Sequence, residues 1–313
     1  MSVARKGADG FLFQIMLLLC AIWGLQQVAI KVAAPDVAPL LQVALRSGIA
    51  ALLVGLLILW QRSWQDWIGC TWRGGLLAGV LFGLEFFFIA RGLQYTSASH
   101  MAVFLYTAPI FSALGLHLLL PSERLRALQW LGIGLCFGGI AVAFGAGMNW
   151  ANMNRQVLLG DALGLAGGMA WGATTVVVRS SRLSEAPPTL TLFYQLGVSF
   201  VLLLGYVLLS GPLAPVRWTP LAIGSVLVQG IVVSFLSYLA WFWLLRRYLA
   251  SNMAVLSFMT PLFGVTFGVL LLDEPLSLNF VIGAVLVLLG IMLVSNHAWV
   301  RKRLHRWRLA AQR

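Results

Sequence analysis

The sequence predicts an all-α polytopic membrane protein, with ten transmembrane helices arranged as two inverted five-helix repeats. Three observations predict it. Apolar residues fill 60% of the 313 positions and charged residues only 10%, against about 45–50% and about 25% in a soluble domain. Ten apolar runs each approach the roughly 20 residues needed to cross a hydrocarbon core of about 30 Å. The chain also matches itself at a shift of roughly 150 residues, the mark of an internal duplication.

The runs extend from Phe11 to Val32, Leu40 to Trp60, Gly74 to Leu93, Ala98 to Leu120, Leu128 to Gly147, Leu158 to Val178, Leu190 to Leu209, Leu221 to Leu245, Asn252 to Leu272 and Asn279 to His297. The connectors between them, such as Gln61 to Arg73, leave no room for a separate extramembrane domain. The expected organisation is an N-terminus over 1–10, a first repeat over 11–147, a linker over 148–157, a second repeat over 158–297 and a basic tail over 298–313. The first run follows Arg5-Lys6 as a signal peptide would, but its length and the nine runs behind it make it a retained helix.

Charge distribution sets the expected orientation. The net charge is +12, yet the cations sit in short gaps and in the tail Arg301-Lys302-Arg303, Arg306, Arg308 and Arg313 rather than as a stripe on a soluble face. Nucleic acid is therefore excluded as a partner. With the N-terminus inside, sixteen of the 21 Lys and Arg residues fall on the inner side and three, Lys31, Arg155 and Arg217, on the outer. Both termini are then cytoplasmic. Tryptophans near span ends, including Trp60, Trp72, Trp130 and Trp218, suit interfacial anchoring. Cys20, Cys70 and Cys136 lie far apart without ligand spacing, so no disulfide framework, metal or cofactor is expected.

The repeat is carried by particular residues. Cys20-Ala21-Ile22-Trp23-Gly24 with Lys31 aligns with Gly168-Met169-Ala170-Trp171-Gly172 with Arg179, at an offset of 148. Met101-Ala102-Val103 and Pro109 align with Met253-Ala254-Val255 and Pro261 at 152, and Glu123, Gly132 and Gly139 with Glu274, Gly283 and Gly290 at 151. Because five is odd, the second half enters from the opposite side, and a pseudo-two-fold axis in the membrane plane relates the halves. Such repeats underlie many secondary transporters. Glycine rows Gly75, Gly79, Gly83 and Gly160, Gly164, Gly168, Gly172 should let neighbouring helices approach closely. Pro109 and Pro261 each remove a backbone donor and should bend spans four and nine.

Polar groups inside hydrocarbon mark candidate chemistry. Glu85 lies eleven residues along span three, about 16 Å at helical rise and so near mid-membrane. A carboxylate there can load and release a proton, as a proton-coupled carrier requires, or can form a permanent ion pair with Arg46 or Arg91. His100, at the outer start of span four, is the second proton-coupling candidate, or is simply solvated. Asp161 reads as an acid complementing a helix N-terminus, and Asp273-Glu274 as a solvated turn. Trp23 and its repeat mate Trp171, with Gln27 and Thr174 close by, suggest an amphipathic cavity at the repeat interface. Tyr106, matched by Phe258, and Tyr238 and Trp241 add further rings.

At these residues the chain resembles the drug/metabolite transporter superfamily, specifically its EamA-like family. The likeness rests on the Trp-Gly pairs with downstream cations, Arg46, Gly92 to Ala98 leading into Tyr106 to Phe111, Glu123-Arg124-Leu125, Ser257 to Pro261 and Asp273-Glu274-Pro275-Leu276. It implies a carrier exporting amino acids or related small metabolites across a bacterial inner membrane. It also implies a cavity walled by spans one, three, four, six, eight and nine, which carry Trp23, Glu85, Tyr106, Trp171, Tyr238 and Ser257. Where the first half spells Ser-Glu-Arg-Leu the second spells Asp-Glu-Pro-Leu, and Ser237 stands opposite Glu85, so the coupling acid is present in one half alone.

Other classes are weighed against this. No nucleotide-binding glycine loop, His-Glu-x-x-His helix or Gly-x-Ser-x-Gly elbow accompanies Glu85, so an enzyme is not expected. An uptake carrier, or a scaffold or receptor using the basic tail on anionic lipid, are the alternatives. The expected partners are a small-molecule substrate and the lipid bilayer, with a homodimer also admitted.

Overall fold

The computed structural model describes residues 9–61, 67–119, 125, 127–145, 155–210, 216–248, 253, 256, 257 and 259–293. Glu123, Phe258, the basic tail and most of the expected linker lie outside the described residues. Among those described, the helices are α1 (Gly10–Ala33), α2 (Pro39–Gln61), α3 (Ile68–Gly92), α4 (Ala98–Leu105), α5 (Ala108–Leu119), α6 (Ala127–Gly145), α7 (Arg155–Ser180), α8 (Pro188–Leu209), α9 (Pro220–Leu227), α10 (Tyr238–Arg247), α11 (Met259–Leu272) and α12 (Leu278–Leu293). A π-helical stretch, Val228–Ser237, joins α9 to α10.

Among the described residues seven helices, counting α4 with α5 and α9 through Trp241 as one each, are long and apolar enough to cross a membrane. Three shorter apolar helices, Ala127–Val142, Met259–Leu272 and Leu278–Leu293, fall at the fifth, ninth and tenth apolar runs. The chain is thus an all-helical polytopic membrane protein. Its burial pattern agrees: Leu52, Leu118 and Leu209 lie on the outside, the last 88% exposed, while Arg46, Glu85, Gln229 and Ser234 are inside. Apolar surface outward and polar groups inward is the arrangement that lipid demands.

Helix ends follow local chemistry. Asp9 caps α1 by accepting from the Leu12 N–H at 2.8 Å, Ser97 caps α4 by accepting from His100 N–H at 3.0 Å, and Thr219 caps α9 ahead of Pro220. Span four breaks at Tyr106-Thr107, as Pro109 led us to expect. Proline has no N–H, so the Leu105 carbonyl loses its helical donor, and Thr107 Oγ1 bridges the break by donating to the Phe104 carbonyl at 2.6 Å. Pro261 lies in the first turn of α11, as Pro109 does in α5, and the expected bend of span nine falls on residues 254–258, which are only partly described. The π-helical stretch interrupts a run expected to be one uniform helix. Nothing in residues 228–237 distinguishes them by composition from their neighbours.

Both glycine rows lie at helix contacts. Gly160, Gly164, Gly168 and Gly172 bring α7 onto the Thr96 turn, α4 and α5, and Gly75, Gly79 and Gly83 bring α3 onto α8. Two close approaches recur at matching places. A Cβ on Gly24 would lie 2.7 Å from Phe263 Cβ and 2.8 Å from Gly264 N, and one on Gly172 would lie 2.7 Å from Phe111 Cβ and 2.9 Å from Ser112 N. Gly24 and Gly172 stand 148 residues apart and Phe111 and Phe263 stand 152 apart, the offsets at which the sequence matches itself. Likewise a Cβ on Gly139 would meet Gly283 O and come within 2.8 Å of Val287 N, while one on Gly290 would meet Gly132 O and come within 2.8 Å of Cys136 N. Because backbone atoms fill these spaces, Gly24→Val and Gly172→Val should each destabilise the protein by about 2 kcal/mol or more. Thermal unfolding in detergent measures this against Gly134→Ala, where the added carbon meets open space. Equal melting of all three variants would show that the seams are not tight.

Candidate functional site

The middle of the bundle collects side chains from both halves. Trp23 of α1 donates its indole N–H to Ser237 Oγ at 2.8 Å and packs against Tyr238 and Trp241, with ring centroids 6.4 and 5.5 Å away. Tyr106, at the break between α4 and α5, meets Trp171 of α7 edge to face at 5.2 Å. Each cluster joins a ring of the first half to a ring of the second. The π-helical stretch contributes to the first, because Ser237 ends it and Tyr238 follows directly. Single-turn π distortions are common at functional sites, where they re-aim side chains.

Charge sits beside these rings. Arg46 of α2 has no solvent exposure, and none of its three guanidinium nitrogens has a hydrogen-bond partner. Its guanidinium carbon lies 3.9 Å from the centre of the Phe86 ring. Glu85, the residue before Phe86 on α3, is 4% exposed and its Oε2 has no hydrogen-bond partner. Arg46, Glu85 and Tyr238 lie close enough to interact electrostatically. The expected permanent ion pair between Glu85 and Arg46 is nevertheless not made: among the described residues no contact within 4.0 Å joins them, and Arg46 spends its face on an aromatic ring. Arg91, the other proposed counter-ion, reaches Gln94 at 3.5 Å.

Gln27 Oε1 is a further buried polar atom with no hydrogen-bond partner, and Thr260 Oγ1 lacks one of full geometry. Thr260 neighbours Cys20 and Tyr106. Buried polar groups in native proteins are almost always hydrogen-bonded, so an unpaired set at the centre of the bundle requires an explanation. Thr174 is buried but turns back to its own helix, donating to the Ala170 carbonyl at 2.9 Å. Ser257 is half-buried, two residues before α11.

His100 is not part of this centre, nor is it simply solvated. Its Nδ1 donates to Asp161 at 2.9 Å, and its ring stacks on Phe280 of α12 at 4.0 Å. Asp161 therefore does not complement the α7 N-terminus as expected: it lies more than one turn inside and also accepts from the Thr96 hydroxyl. Glu274 is likewise not a solvated turn residue. It is 8% exposed and caps α4, accepting from Ala98 N–H at 2.7 Å, Ser99 N–H at 2.9 Å and Ser99 Oγ at 2.7 Å, with Lys31 at 3.2 Å. Lys31 also donates to the Thr96 carbonyl at 3.0 Å. Here α1, α4, α7 and the α11–α12 connector are tied together at one end of the bundle.

Trp23, Tyr106, Trp171, Tyr238 and Glu85, all candidates from the sequence, sit on elements that face one another, and the structure adds Arg46, as more than a counter-ion, and Thr260. An arginine inside an apolar run is itself a signal. Thr260 offers none, because serine and threonine are common in membrane helices.

The model of the EamA-like transporter family matches residues 12–145 and again 158–296. An uncharacterized transporter of Archaeoglobus fulgidus is 30% identical over 298 residues, covering 92% of this chain and 98% of the relative. The uncharacterized transporter YoaV of Bacillus subtilis is 26% identical over 273 residues, covering 87% and 92%. A probable amino-acid metabolite efflux pump of Salmonella typhimurium is 28% identical over 298 residues, covering 92% and 94%. A crystal structure 18% identical in sequence superposes with a TM-score of 0.62 over 92% of this chain and 98% of the other, a likeness of fold.

Proposed function

The chain belongs to the EamA-like transporter family, and from that membership we propose that it is a secondary carrier exporting amino acids or related small metabolites across the bacterial inner membrane by alternating access. Its ten spans form two inverted five-helix repeats, 11–147 and 158–297, with both termini cytoplasmic and the substrate held midway between the halves. Trp23, Gln27, Glu85, Tyr106, Trp171, Thr174, Tyr238 and Ser257 face the substrate path, and Glu85 carries the coupling proton.

One observation carries this reading: the close approaches are reciprocal. Gly24 of the first half seats on α11 of the second, and Gly172 of the second seats on α5 of the first, through matched atoms. Gly139 and Gly290 repeat the exchange between α6 and α12. Reciprocity of this kind supports a two-fold relation between the halves, and five spans a side would set its axis in the membrane plane. Two near-equivalent halves can then exchange conformations, opening the centre to either face. The double match of the family model supports the duplication, and the relatives named as efflux pumps support amino-acid export. The ties of Lys31 and Glu274 fit closure of the outer side.

Counterflow tests the reading. Purified protein in sealed vesicles preloaded with an unlabelled amino acid should take up its labelled form faster than protein-free vesicles. If none of the protein amino acids exchanges, the proposed substrate class is wrong.

A further inference from the structure

Among the described residues Arg46 is the largest fully buried side chain, and it carries a full charge there with no hydrogen-bond partner. A guanidinium is charged at any physiological pH and offers five N–H donors in a planar fork. Leaving those donors unmade in a dry interior is among the most costly arrangements a protein can hold. Contact with the Phe86 face offsets part of that cost but satisfies no N–H. Glu85, one residue along α3 from Phe86, is close enough to balance the charge but not to bond. A cation and an anion are thus held near each other, both buried and neither paired by contact.

We infer that Arg46 is the anion-reading group of the central site and that the compound it binds carries a carboxylate, with a cationic centre facing Glu85. This rests on the transport reading and deepens it. The planar fork of arginine matches a carboxylate bidentately. Net charge favours a zwitterion over a phosphate. Arg46 and an ionised Glu85 sum to zero, and Lys31, the lysine of α1, is already committed to Glu274 and Thr96. A dianion would thus enter a dry site with a single cation to meet it.

The test compares each protein amino acid with its own carboxamide, which keeps the amine and side chain but removes the negative charge. Binding to the purified full chain is read by thermal stabilisation and by tryptophan fluorescence. An amino acid that binds should do so about tenfold or more tighter than its carboxamide, the usual weight of a charge-assisted hydrogen bond. Arg46→Gln should bring the two within about twofold of each other, and Arg46→Lys should keep part of the preference. A purely structural arginine would weaken both ligands together and leave their ratio unchanged. If Arg46→Gln does not fold, the wild-type ratio and Arg46→Lys still decide the matter. Wild-type protein that exchanges amino acids in counterflow yet binds carboxamides equally well would overturn the role of Arg46 and leave transport standing. Absence of counterflow for every amino acid would overturn the transport reading, and the Arg46 assignment with it.

Discussion

Glu274→Ala is expected to destabilise the fold by about 3 kcal/mol, because it removes a buried carboxylate that holds several hydrogen bonds and a partly exposed lysine. The alanine variant orphans the N–H groups of Ala98 and Ser99 at the first turn of α4, the Ser99 hydroxyl and the Lys31 ammonium together. Glu274→Gln should be milder, since an amide oxygen still accepts but cannot balance Lys31. The same contacts predict a pH dependence. Burial alone would push the Glu274 carboxyl up, but hydrogen bonds from Ser99 and Ala98 and the charge of Lys31 outweigh it and hold the carboxyl below its ordinary value. A folded-state value below the unfolded one means a contribution that is fully present above the unfolded carboxylate value and lost as pH falls through the folded one. Melting curves in detergent across the acid range should therefore show a steeper loss for wild type than for Glu274→Gln. Alanine and wild-type proteins melting together would remove Glu274 from the account of stability.

Glu85→Gln should abolish concentrative transport driven by a pH gradient while weakening, but not abolishing, counterflow, since it also removes the carboxylate that faces the substrate. If one proton moves with each substrate, a gradient of one pH unit supplies about 1.4 kcal/mol, or about tenfold accumulation. Glutamine cannot carry that proton, so accumulation should fall to no gradient at all. Counterflow needs no net proton and isolates the coupling from the folding of the variant. Undiminished pH-driven accumulation by Glu85→Gln would assign coupling elsewhere. His100 would not be the natural substitute, because its Nδ1 is engaged by Asp161 and its ring by Phe280.

Much of the architecture was legible in the sequence because its signals are local. Apolar runs of fixed length mark the helices. Pro109 marks the break of span four, since the missing donor lies within one turn of its effect. The glycine rows mark the faces on which α3 and α7 accept neighbours. The Trp-Gly pairs pointed to Trp23 and Trp171, Tyr106 came from its match to Phe258, and Tyr238 from a span that the family resemblance implies to wall the cavity. Partnerships were less legible. Glu274 meets Ala98, Ser99 and Lys31 across 176, 175 and 243 residues, and Asp161 meets His100 across 61. Neither spacing carries a periodicity that reading along the chain could detect.

By itself the sequence determined that the chain must live in lipid, where its helices lie, which faces are smooth and that a charged pair sits within the spans. Those properties depend on composition and on residues within a turn or two of each other. Only the tertiary structure decided that Glu85 and Arg46 stand apart, that Arg46 turns to Phe86 and that an acid expected in solvent caps a helix of the other half. In a bundle, the partner of a buried charge is whichever group the packing of distant helices brings within about 3 Å, and packing is a property of the whole chain.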